Sequence, residues 1–239
     1  MMIELYRIKN NHIGLFSVMV CILMGILGLI LLVSLDGYQF DEISMGLLQY
    51  SIYTVYTQFG FFVLPVLSIY LIAIDYKEKN IAFYKLLKYN EHLYFLQKLA
   101  VLLILNTIGN FIVSSSVSVV YRNFSDFILF FLKLENVSVF ITFISLLYAF
   151  VFKNLMISYC VNFAIWVTGI VLYSINGSLK IFCFYDASLE KHSAFQDVLE
   201  AGAVMHGSVI TEILYNAVVF LIGMVIVTIF RKRWMKNGI

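Results

Sequence analysis

Apolar positions in this chain come in long unbroken runs, without the short alternation that marks half-buried strands or the one-sided stripe of a soluble helix. Residues 13–35, 47–74, 99–121 and 154–179 contain no Asp, Glu, Lys or Arg, and 136–152 and 213–230 are two shorter runs of the same kind. A bilayer core about 30 Å thick needs roughly 20 helical residues to cross it. The pattern therefore predicts an all-α membrane protein with six transmembrane helices. The fourth run is the shortest, because Lys133 and Glu135 lie just before it. The first is too long for the apolar core of a signal peptide, and no Ala-x-Ala-like site follows it, so it is expected to be a span.

Composition sharpens this picture. The chain is 62% hydrophobic and 13% charged, against about 25% charged residues in ordinary soluble domains. The aqueous parts are too short to bury a core of their own, so residues 1–239 are expected to form a single transmembrane domain. A formal net charge of only +2 gives no reason to expect a nucleic-acid partner. Cys21, Cys160 and Cys183 have neither a metal-ligand nor a disulfide spacing. No metal site is expected from Glu190, His192, Asp197 and His206, whose spacing is irregular.

The distribution of charge is more telling than its sum. With six spans both termini share one side, which then holds Arg7, Lys9, the five lysines between 77 and 98, Lys153, Arg231, Lys232, Arg233 and Lys236; Arg122, Lys133, Lys180 and Lys191 fall on the other. The positive-inside rule makes the basic side cytoplasmic. Residues 1–12 are expected to form an interfacial helix, with Met1, Leu5 and Ile8 on one face and Glu4, Arg7 and Asn11 on another. The outer segment 176–212 carries an apolar patch too short to span, as a re-entrant piece would.

Several chemistries lack their motifs. There is no phosphate-binding Gly-x-x-x-x-Gly-Lys-Ser/Thr loop, no His-Glu-x-x-His and no Gly-x-Ser-x-Gly. The spans are expected to contain no charge deep in the bilayer, which argues against an ion-coupled carrier. The strongest remaining feature is the charged interruption at 75–98. It must lie in water or at the membrane surface, and it is long enough for a short helix. Residues 80–89 are expected to be helical, with Ile81, Tyr84 and Leu87 near one face and Lys85 and Lys88 beside them.

The order of parts, with the residues of this loop, resembles the permease subunit of type-2 ABC exporters. Asp75 stands at the inner end of the second span, Leu86-Leu87 form the leucine pair, Tyr89-Asn90 the turn, and Lys98 opens the third span. The chain departs from that pattern in having Asp for the commoner Glu, Asn80-Ile81 where Gly-Thr is usual, no Pro at the turn, and His92 where Arg is frequent. In this it is more similar to the small lantibiotic-immunity and peptide-exporter permeases of Gram-positive bacteria. The resemblance implies that the loop is a coupling helix seated on a dimer of ATP-binding subunits, through Asp75, Ile81, Tyr84, Lys85, Leu86, Leu87, Lys88 and Lys98. It also implies a second permease, the same or different, a cell-membrane location, and ATP-Mg held by the partner ATPase, with no cofactor on this chain. The implied cargo is a hydrophobic or amphipathic peptide, such as a bacteriocin, lantibiotic or toxin.

Candidate substrate-pathway residues are those polar and aromatic side chains of the second and fifth spans that the resemblance places along a cavity: Tyr50, Tyr53, Thr54, Thr57, Gln58, Asn162 and Trp166. Pro65 is expected to kink the second span. Asn106, Asn110, Ser114 and Ser118 recur every four residues on the third span and suit helix-to-helix adhesion. The chain is expected not to be an enzyme. The alternatives are a membrane-embedded peptidase, for which Cys21 and Cys160 lack a well-placed His, and a non-transporting immunity or sensor protein.

Overall fold

The computed structural model describes residues 13–34, 39, 43–185 and 209–231. The expected interfacial helix at 1–12, most of the expected re-entrant segment (186–208) and the basic residues Lys232, Arg233 and Lys236 lie outside the described residues. All regular structure among the described residues is helical: α1 (Ile13–Ser34), α2 (Met45–Gln58), α3 (Gly60–Lys77), α4 (Asn80–Leu86), α5 (Glu91–Val120), α6 (Phe127–Phe152), α7 (Leu155–Ile175), a 3-10 segment (Gly177–Cys183) and α8 (Val209–Ile229). Six of these, α1, α3, α5, α6, α7 and α8, are long and apolar enough to cross a membrane.

Local chemistry sets the helix ends. Ser44 caps α2 by accepting from the Leu47 N–H, Asn90 caps α5 through Leu93, and Asn154 caps α7 through Met156 and Ile157. The helix α4 is two turns long and ends at Leu86, shorter than the expected 80–89. Lys88 takes a left-handed conformation (φ 60°). The Lys88 N–H then donates to Lys85 O and the Tyr89 N–H to Tyr84 O, the paired bonds of a Schellman stop. Tyr89 packs back on Tyr84 with ring centroids 5.7 Å apart, the apolar contact that accompanies such a stop.

The second span corrects the expectation of one run from 47 to 74. It is two helices, α2 and α3, interrupted at Phe59. Pro65 lies inside α3 and offers no N–H to the Phe61 carbonyl. Asn162 Nδ2 from α7 supplies the missing donor at 3.4 Å, and the Tyr159 hydroxyl donates to Phe62 O at 3.0 Å. Broken helices persist at membrane depth where a neighbour satisfies the released backbone in this way.

The helix α6 is the centre of the bundle, packed on α3, α5, α7 and α8, while α1 lies against α5 and α2. Close approach needs glycine at two crossings. A Cβ on Gly28 would sit 2.8 Å from the Ile52 Cα, and one on Gly109 2.5 Å from the Cys21 Cβ. Polar side chains bind the same helices together. Asn106 Nδ2 donates to the Thr142 hydroxyl and Asn106 Oδ1 accepts from Ser17, while Asn110 accepts from the Tyr56 hydroxyl and donates to Glu135 and Ser138. Ser114 and Ser118 are buried on the same stripe, and their hydroxyls have no hydrogen-bond partner among the described residues.

Charge is present inside the helices, contrary to the expectation drawn from the uncharged runs. The helix α6 starts at Phe127, not 136, and so carries Lys133 and Glu135 within it. Both are accommodated by partners: Lys133 pairs with Glu212 of α8 at 3.2 Å, and Glu135 accepts from Thr107 and Asn110 at 2.6 and 2.9 Å. Such residues are tolerated at membrane depth when they face the bundle interior and are paired.

Candidate functional site

The loop between α3 and α5 folds onto a buried ion pair. Asp75, in the last turn of α3, and Lys98, two turns into α5, are 0% and 1% exposed and lie 2.7 Å apart. The Tyr94 hydroxyl donates to Asp75 Oδ2 at 2.9 Å, and Asn80 Nδ2 reaches Oδ1 at 3.4 Å. Lys98 Nζ also donates to the Tyr84 hydroxyl at 3.3 Å and lies over the Tyr84 and Tyr94 rings. Asn80 and Tyr84 belong to α4, so this cluster fixes the short helix to the ends of two spans.

The same contacts decide which face of α4 is presented. Ile81 and Tyr84 are buried against the chain's own helices, so the ridge expected of Ile81, Tyr84 and Leu87 is divided. The exposed apolar surface consists instead of Phe83 (52%), Leu86 (82%) and Leu87 (41%). Exposed Lys79 and Lys88 flank it, and Lys85 is half-buried. At this end of the bundle Glu91, 4% exposed, pairs with Arg231 at 3.3 Å, and the Thr228 hydroxyl lies 3.3 Å from His92 Nε2. These contacts bring the end of α8 to the start of α5. Lys153 lies over the Tyr76 ring, 5.2 Å from its centroid.

The second feature is a cavity of about 170 Å³ between α3, α6, α7, α8 and the 3-10 segment. Of the seven sequence-selected pathway residues, Asn162 and Trp166 line it. Tyr50, Tyr53, Thr54, Thr57 and Gln58 all lie on α2 and are not among its lining residues. Tyr53 is fully buried, with Lys133 Nζ 5.9 Å from its ring centroid, while the Thr54 and Thr57 hydroxyls donate to carbonyls of their own helix. Most of the cavity wall is aromatic. Phe61 stacks on Trp166 (5.8 Å), Phe184 on Tyr215 (4.2 Å), and Phe140 lies 5.0 Å from Tyr185. Sequence reasoning missed these wall residues, because they come from five elements whose proximity no spacing announces.

The end of the cavity nearer the start of α8 is held by polar contacts. The Tyr185 hydroxyl donates to Asn216 Oδ1 at 2.9 Å, Asn216 Nδ2 to Asn136 O at 3.0 Å, and Glu212 pairs with Lys133. Among the described residues no three His, Cys, Asp or Glu side chains are grouped to hold a metal ion.

Comparison with known proteins places these features in a family. The family model described as the peptide export permease protein YydJ family matches residues 1–239. The probable peptide export permease protein YydJ of Bacillus subtilis (strain 168) is 28% identical, over the whole of both chains. No solved structure matches. The chain is thus a multi-pass membrane protein and belongs to the peptide export permease protein YydJ family.

Proposed function

We propose that this chain is the membrane subunit of an ATP-driven ABC exporter, moving a hydrophobic or amphipathic peptide while a separate ATP-binding subunit hydrolyses ATP. The observation that carries this proposal is the exposed ridge Phe83–Leu86–Leu87, held rigidly by the buried Asp75–Lys98 pair and flanked by lysines. An apolar helix face with basic edges suits a groove on another protein. A rigid mount lets a push on that ridge reach α3 and α5 without being lost in a slack loop. The peptide cargo follows the family description and the name of the Bacillus subtilis relative. The proposed setting is the cell membrane of a Gram-positive bacterium. The ridge end faces the cytoplasm, as do both termini, and a second permease completes the pathway.

The test is co-purification with a tagged ABC ATP-binding subunit co-expressed from the same genome. Leu86→Glu, at the most exposed position of the ridge, is expected to abolish co-purification while leaving the amount of membrane-inserted permease unchanged. Leu87→Glu is expected to act in the same direction. Retention of the ATPase by both variants overturns the docking role.

A further inference from the structure

The aromatic cavity has a chemical character that narrows what it can hold. Its polar tips are turned to the protein: Tyr185 donates to Asn216, the Tyr215 hydroxyl to Ile181 O, and Asn162 Nδ2 to Phe61 O. Most of the lining side chains, Phe61, Phe140, Trp166, Phe184, Tyr185 and Tyr215 among them, are aromatic and present ring surface to the cavity. Its volume, about 170 Å³, is below the several hundred Å³ of drug-sized pockets. It is close to the roughly 150 Å³ apolar cavity that takes up benzene. Paired rings around it offer a further ring stacked or edge-on contacts, which contribute beyond area burial.

A second groove of similar size supplies an internal contrast. It lies between α1, α2 and α5, holds about 180 Å³, and is lined by aliphatic side chains such as Ile22, Ile26, Leu29, Leu48 and Ile52, with no aromatic residue. A surface of that kind matches flexible acyl chains. The aromatic cavity is a different environment within the same membrane-spanning bundle.

We infer that this cavity, lined by one protomer and open on one side, is a binding site for a single aromatic side chain of the exported peptide. Assignment to a peptide rests on the function proposed above; the preference for one aromatic ring rests on the cavity itself. Asn162 lines the cavity and also bonds the carbonyl released by Pro65, so an occupant contacts the residue that holds α3 against α7.

Trp166 is a built-in reporter. The chain has two tryptophans, Trp166 and Trp234, and Trp234→Phe leaves Trp166 alone. Titration of this full-length variant in nanodiscs with N-acetylphenylalaninamide is expected to give a saturable shift in emission. N-acetylleucinamide and oleate are expected to give none. Val219→Phe, which places an added ring in the cavity, is expected to weaken the response about tenfold or more, as overfilling does. Ile144→Phe fills the same space from α6 and serves if the first variant does not fold. Absence of a saturable shift, an equal response to leucinamide or oleate, or a response surviving both filled variants overturns the inference. Binding is read on the isolated permease, so its failure is distinguishable from failure of ATPase docking.

Discussion

Lys98 keeps its ammonium 1% exposed because a carboxylate, a hydroxyl and two ring faces surround it. Burying one partner without the other is the expensive case: removing half of a buried pair costs about 3–5 kcal/mol, while replacing both by apolar groups can be nearly neutral. Lys98→Met is therefore expected to destabilise the purified permease by about that amount. The Asp75→Asn/Lys98→Met double variant should recover most of the loss, and thermal unfolding of the set measures it. Asp75 and Lys98 are both legible in the sequence, because each marks the edge of an uncharged run. The sequence pattern leaves Lys133 and Glu212 in the loops. They are 79 positions apart, and nothing local announces that a partner will carry each into the bundle. Ile81 and Tyr84 are legible as helix residues, but their burial is not, because helical periodicity defines a face without saying what covers it.

At the scale of elements, the second span shows how one residue and its neighbour act together. Pro65 withdraws a donor, and Asn162 on α7 supplies another. Asn162→Leu should leave the Phe61 carbonyl without that donor and destabilise the packing of α3 on α7. Pro65→Ala restores a backbone N–H that can bond Phe61 O, so the same Asn162→Leu change should cost less in the Pro65→Ala background. A double-mutant cycle of unfolding free energies is expected to give a coupling of about 0.5–2 kcal/mol, consistent with the modest worth of single hydrogen bonds in membrane bundles. A coupling near zero would show that the two residues act separately. The proline itself is visible in the sequence. The interruption falls at Phe59, where α2 ends, and this is not visible, because both halves of the run are equally uncharged.

Across the whole molecule, α6 is buried on several sides while α7 and α8 attach by narrow stripes. The buried residues of α7 are Ser158, Asn162 and Gly169, and those of α8 are Glu212, Gly223 and Val227. Much of the remaining apolar surface of both helices, such as Ile165, Val171, Leu214 and Leu221, is exposed. The arrangement brings Lys79, Lys88, Lys153 and Arg231 to one end with Glu91, and Asn123 to the other. In intact cells a membrane-impermeant thiol reagent is expected to label Asn123→Cys and spare Lys88→Cys, in a background with Cys21, Cys160 and Cys183 replaced. Labelling of Lys88→Cys alone would reverse the proposed orientation.

The sequence by itself determined the class, the number of spans and the position of the loop, because a bilayer imposes a length and a polarity on every crossing segment and these are one-dimensional properties. The order of the spans, with the loop residues, also pointed to a peptide-exporter permease, and the family match over residues 1–239 agrees with it. Tertiary structure decided which loop residues face outward, how charged side chains enter the bundle, and where five elements line an aromatic cavity. Those properties depend on pairs distant along the chain, and in a nearly uniform apolar sequence no local pattern distinguishes the side chains that will meet from those that will face lipid.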